Sequence, residues 1–220
     1  MPAVMTNYAD AVAVMPRGTR LSGDDISWEE YEDLLAAITD QPHFRISYDR
    51  GELEIMSTSS THESWKVLFT HLLAILAEEL NLNLYSLGSM TFKLPDFAQG
   101  VEPDDCFYIH RAAQIIGVEE IDLARDPGPE LVVEIDLSSH SLDKFPIYAN
   151  LGVEEVWRRN KRELEFYRHD GYGFQRVTQS ELFPMLTSER LERFLLKGRQ
   201  EGIVPMNRAF RVWVRAQQTK

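Results

Sequence analysis

The stretch LVVEIDL, residues 131–137, limits what this chain can fold into more than any other. It reads as a strand in which Leu131, Val133, Ile135 and Leu137 share one face, while Val132, Glu134 and Asp136 share the other. A second run, VEPDDCFYI at 101–109, alternates in the same way, with Glu102, Asp104, Cys106 and Tyr108 on one side and Asp105, Phe107 and Ile109 on the other. Two such strands side by side would let Asp104, Glu134 and Asp136 converge. Ionised carboxylates set into apolar strands cost several kcal/mol unless paired or metal-bound. A compensating cation is therefore required. Magnesium suits an all-oxygen set, because it keeps several waters and is usually held by one or two carboxylates together with substrate phosphates. Downstream, Ser138, Ser141 and Asp143 offer N-cap oxygens for a helix running to about residue 151, with Pro146 in its first turn. Lys144 then lies near that helix start, either as a solvated cation or as a partner of the acids.

Pro103-Asp104, Glu134 in VVEIDLSS, Lys144, and the run Tyr148, Gly152, Val153, Glu155, Trp157 resemble the Uma2 family of endonucleases, within the PD-(D/E)XK, restriction-endonuclease-like superfamily. The resemblance extends over about residues 27–167. It implies that Asp104 is the Asp of the "PD" and that Glu134 fills the acidic position. Two residues after Glu134 the pattern has lysine and this chain has Asp136, so the resemblance implies that Lys144 substitutes for it. It further implies an α/β fold with a mixed central sheet flanked by helices. Catalytic residues would be Asp104, Glu134, Lys144, Asp136 and His62. Asp104, Glu134 and Asp136 would hold Mg2+ or Mn2+, a backbone carbonyl after Glu134 could add a ligand, and DNA would be the substrate.

The remaining sequence frames this site. Ser27 and Glu30 have capping-box spacing ahead of Trp28, Tyr31, Leu34, Leu35 and Ile38, which predicts a first helix. Asp49-Arg50-Gly51 predicts a hairpin between 43–48 and 52–56. Ser60 and Glu63 open the strongest helical pattern, Trp65, Leu68, Phe69, Leu72, Ile75, Leu76 and Leu80. His62, in its first turn, either caps and packs or lends a polar group to the site; the resembled family also has a histidine there. A second hairpin is expected across Gly88-Ser89, strands at 153–158, 164–167 and 174–177, a short helix after residue 109, and a helical tail from residue 188. The last segment, 208–220, is basic and aromatic and reads as packing or a homodimer contact.

The organisation expected is an N-terminal arm over 1–20 and one domain over 21–220, with an added N-terminal helix and β-hairpins. No apolar run approaches the roughly 20 residues that span a bilayer, and no secretory leader is read at the N-terminus, so a cytoplasmic location is expected. The lone Cys106 excludes an internal disulfide, and acids beside it would suppress a thiolate. A net charge of -12 weighs against tight non-specific DNA binding, since phosphate contacts are mostly made by Lys and Arg. It leaves a second function class open, a nuclease-like scaffold that no longer cuts and serves as a binding module. A two-carboxylate glycoside hydrolase has little support, because aromatic sugar platforms are not evident. Glycine-rich phosphate loops, zinc spacings and nucleophile elbows are not found.

Overall fold

A computed structural model describes residues 8–38, 43–137 and 142–218. Two sheets share the chain. The first has the order β1 (Arg20–Gly23), β3 (Glu52–Ser57), β2 (Phe44–Asp49), β6 (Gln99–Val101), β5 (Phe92–Leu94), and every pair is antiparallel. The second has the order β11 (Phe174–Val177), β10 (Leu164–His169), β9 (Glu155–Asn160), β8 (Leu131–Asp136), β7 (Asp105–Tyr108), β4 (Tyr85–Ser86). Within it β8 and β9 run parallel, joined by a crossover helix, α5 (Phe145–Leu151), and the other pairs are antiparallel. This is the mixed α/β architecture that the family resemblance implies.

The alternation in β8 decides how the second sheet is covered. Leu131, Val133 and Ile135 face a core with Phe107, Trp157 and Phe166 and with α3 (Ser60–Leu80), α6 (Ser188–Glu201) and α7 (Ile203–Gln218). Val132 faces the opposite side, against Cys106, Ile147, Tyr148 and Val156. The first sheet has its own core, in which Phe44, Ile46, Tyr48, Leu53 and Ile55 pack on α2 (Trp28–Ile38) through Tyr31, Leu34 and Ile38. The other face of that hairpin carries Arg45, Ser47 and Glu54, all buried. It is turned towards the second sheet, as the Arg45–Asp104 contact shows.

Two expectations need correction. Residues 101–109 do not form one strand. β6 ends at Val101, and β7 begins at Asp105 in the other sheet. Pro103 has no N–H to give a ladder, and the Glu102 side chain accepts the Ile46 N–H at 3.1 Å, so the chain leaves one sheet and enters the next here. The hairpin expected across Gly88-Ser89 is not formed: β4 pairs with β7 and β5 with β6, one on each side of that crossing. The expected arm over 1–20 holds, from residue 8 onward, a helix, α1 (Tyr8–Ala13), whose Val12 packs beneath α2; its six residues are too few to show a period.

Caps explain the local ends. Ser27 and Glu30 form the capping box, with Glu30 N–H to Ser27 Oγ at 3.2 Å and Ser27 N–H to Glu30 Oε2 at 2.7 Å. In α3 the cap is Ser59, one residue earlier than expected, accepting from His62 N–H. Of the cap oxygens expected before α5, Ser138 and Ser141 lie outside the described residues, and Asp143 Oδ1 accepts the Phe145 N–H at 3.1 Å. The short helix expected after residue 109 is α4 (Ala112–Ile115). No described helix is long and apolar enough to cross a membrane.

Gly128 precedes β8, and a Cβ there would fall 2.0 Å from the Leu151 carbonyl oxygen, which is backbone at the end of α5. Gly128→Ala is expected to lower stability by about 1–3 kcal/mol, read as a fall in the thermal midpoint. Gly173→Ala, where a Cβ meets nothing within 4 Å, is the control that leaves the midpoint nearly unchanged.

Candidate active site

The crossing at residues 102–104 places Asp104 at the seam between the sheets. β7 and β8 pair Asp105 with Val133, and extending that register by one residue sets Asp104 opposite Glu134. The Ile135 N–H, beyond the last ladder bond, donates to Asp104 Oδ2 at 2.6 Å. Asp104 Oδ1 is buried and makes no aligned hydrogen bond. It is approached by His62 Nε2 at 3.0 Å and Arg45 Nε at 3.9 Å. His62 comes from the first turn of α3 and is itself buried.

Glu134 is held from the other side. Lys144, at the N-cap of α5, places Nζ 2.9 Å from Glu134 Oε2, and the Tyr148 hydroxyl, one helical turn on, donates a short hydrogen bond to Oε1. Asp136 lies two residues further along the same face and accepts from Arg20 Nη2 at 3.1 Å. Arg20 also contacts Glu54 Oε2 at 3.3 Å, and that oxygen accepts the Leu142 N–H at 3.0 Å. The first sheet thereby grips the loop that delivers Lys144.

The five residues singled out from the sequence thus fall into two groups. Asp104, Glu134, Lys144 and His62 meet in one buried cluster. Asp136 is drawn to Arg20 on the wall of the adjoining cleft, a space of about 320 Å3 that Arg20, Glu134, Lys144, Phe145, Tyr148 and Arg158 help to line. Arg20, Arg45, Glu54 and Tyr148 were not among the expected site residues. Only Tyr148 carried a signal, its i, i+4 spacing from Lys144. Arg45 and Glu54 read as the wet face of a hairpin, and only the docking of the second sheet buries them.

The electrostatics separate the two facing acids. Burial opposes ionisation of Asp104, but the charges of His62 and Lys144 and the Ile135 N–H outweigh it and hold the carboxyl below its ordinary range. Burial pushes Glu134 up, with Asp104 adding to it against the pull of Lys144. Burial would lower Lys144, yet Glu134, Asp104 and Glu54 together raise it and keep it charged. His62 is also raised, because Asp104 overcomes its desolvation. Cys106 is pushed by burial and by Asp105 to about 12, which removes it as a nucleophile.

Among the described residues no group of three His, Cys, Asp or Glu side chains is arranged to hold a metal. The donor set still fits a magnesium-sized ion completed by water and phosphate. Asp104 and Glu134 lie opposite each other and would supply its carboxylate oxygens, and Asp104 Oδ1 is a buried acceptor without an aligned donor.

The chain is thus a mixed α/β protein in which two acids and a lysine gather at the carboxyl end of β8, a strand with one parallel neighbour. The chain belongs to the Uma2 family, described as "Putative restriction endonuclease", whose sequence model matches residues 28–200. No curated protein matches it. Among solved structures it is similar to "a putative nuclease belonging to DUF820" from Anabaena variabilis ATCC 29413, at 14% identity and a TM-score of 0.46, over 77% of this chain and 99% of that one.

The His62–Asp104 pair gives stability a pH signature. A raised His62 stabilises fully below the ordinary histidine value and loses this as pH rises through its folded pKa; a lowered Asp104 contributes above the ordinary aspartate value and loses this as pH falls. The pair is thus worth most between about pH 4 and 6.5. His62→Gln is expected to cost about 1–3 kcal/mol in that window, the difference from wild type shrinking at higher pH in denaturant titrations. A pH-independent difference would mean that His62 stays neutral.

Proposed function

We propose that the protein is a divalent-metal-dependent endonuclease that hydrolyses DNA phosphodiester bonds, with Mg2+ or Mn2+ held by Asp104 and Glu134. The observation that carries this reading is the facing acid pair with Lys144 Nζ 2.9 Å from Glu134 and Asp104 Oδ1 left without an aligned donor. The ion would supply an acidified water and offset charge developing on the phosphate.

The protein's own groups supply the rest. Lys144 is kept charged, which favours holding a phosphate oxygen or the attacking water over abstracting a proton. The Tyr148 hydroxyl and Lys144 fix the Glu134 carboxylate in one orientation. His62 orients Asp104 from α3, so its role is positioning. Asp136 fits less well as a ligand than Asp104 and Glu134, because Arg20 holds it; we assign it to anchoring β1 beside the cleft.

A cytoplasmic location is part of this proposal, and the single buried thiol agrees with a reducing compartment. A homodimer is proposed as well, with the exposed Val212 of α7 in the candidate contact.

Calorimetric titration with Mg2+ or Mn2+ is expected to show binding that disappears in Asp104→Ala and in Glu134→Ala. Cleavage of plasmid and oligonucleotide DNA should fall by about 10²–10⁴-fold in Lys144→Ala and be abolished in the acid variants. Absence of metal binding up to millimolar concentrations, with DNA present, would replace this reading by the non-cutting binding scaffold.

A further inference from the structure

The Glu134 face of the second sheet continues beyond the cleft. Its registers set Glu134 beside Arg158, Val156 beside Tyr167, Tyr167 beside Arg176, and His169 beside Phe174. Paired residues share a face, so one surface runs from the acid pair to the edge strand β11. Phe145, from the first turn of α5, lies over it, with its ring 4.8 Å from Tyr167 and 5.2 Å from Phe174, at 25° to the latter. Phe174 in turn meets His169 edge-on at 5.2 Å. All four rings are partly exposed. The Arg158 guanidinium spreads over Tyr167 at 4.9 Å and Phe145 at 5.6 Å, and Glu165 fixes it there at 3.0 Å.

Charge and size narrow what this strip could hold. The chain carries a net charge of -12, and the cations on this face are Arg158 and Arg176, which share Glu165 at 3.0 and 3.1 Å, with Glu163 also beside Arg176. At the cleft itself Arg20 and Lys144 are engaged with acids, which leaves little to grip the two phosphate backbones of a duplex. A cleft of about 320 Å3 lies at the small end of ligand sites and suits one nucleotide.

We infer that the strip of Phe174, Tyr167 and Phe145 with Arg158 is a base-stacking track that leads a single strand of DNA to the acid pair. The inference deepens the nuclease reading and rests on it. Aromatic faces stack any base, and the two arginines beside them, Arg158 and Arg176, can turn from Glu165 to a phosphate, the combination used for single strands without sequence preference.

The test uses the full-length protein in EDTA, so that binding is read without cleavage. The probes are a fluorescein-labelled mixed-sequence DNA strand of about 12 nucleotides and its blunt duplex, followed by anisotropy. The single strand is expected to bind more tightly than the duplex. Phe174→Leu, which keeps an apolar side chain in place, should weaken single-strand binding about ten-fold, and Phe174→Tyr should restore it. Equal binding of duplex and single strand, no single-strand binding, or a Phe174→Leu protein with an unchanged melting curve and wild-type affinity would each overturn the track. Cleavage of the same probes with Mg2+ separates the two ideas. Cleavage without dependence on the ring sinks the track alone; ring-dependent binding without cleavage sinks the nuclease reading and leaves the track standing.

Discussion

The hydrogen bond from the Ile135 N–H to Asp104 is the contact on which the site depends. It is made where the β7/β8 ladder ends and where the chain has just crossed from one sheet to the other. A carboxylate at such a place is buried from both sides, and each sheet must contribute to its compensation. The second sheet gives a backbone donor and, through α5, the charge of Lys144; α3 gives His62; the first sheet gives Arg45. Moving Asp104 by one position along the chain would place it inside β7 on the opposite face. Asp105, which does sit there, is occupied by Thr70 and Ser86 hydroxyls instead.

Buried acids elsewhere in the fold show what a purely structural carboxylate looks like. Glu130 accepts the N–H groups of Ile109, His110 and Arg111 at 2.7–3.1 Å and so closes the loop after β7. Glu155 accepts from Trp157 Nε1, Ser180 Oγ and the Leu182 N–H. In both cases fixed neutral donors surround the oxygens. Asp104 and Glu134 differ because charged, titratable side chains do most of that work.

Much of this was legible in the sequence. The period-two pattern of LVVEIDL fixes which side of β8 carries Glu134, and that pattern survives because a slip of one residue would expose Leu131, Val133 and Ile135. Lys144 is placed by the cap oxygen of Asp143 and by Pro146 in the first turn of α5. What could not be read is anything created by docking. Arg45 and Glu54 alternate with Ile46 and Ile55 as an ordinary solvent face would, and nothing local says that a second sheet covers them. The break at Glu102–Asp104 was hidden for a related reason: alternation continues through it, while the partner strand changes. Asp136 was placed on the correct face but its neighbour, Arg20, lies 116 residues away in sequence, in a segment that reads as an arm.

The parallel pairing of β8 and β9 has one more consequence. Where antiparallel neighbours meet, a tight turn usually roofs the strand end, as 161–163 does between β9 and β10. A parallel neighbour instead requires the chain to travel back along the sheet, here through the two turns of α5. Among the described residues no tight turn closes over the carboxyl end of β8, and α5 begins beside it, where Lys144 meets Glu134. A meandering sheet has in this way been given an entrance, in the position where open α/β sheets hold their ligands.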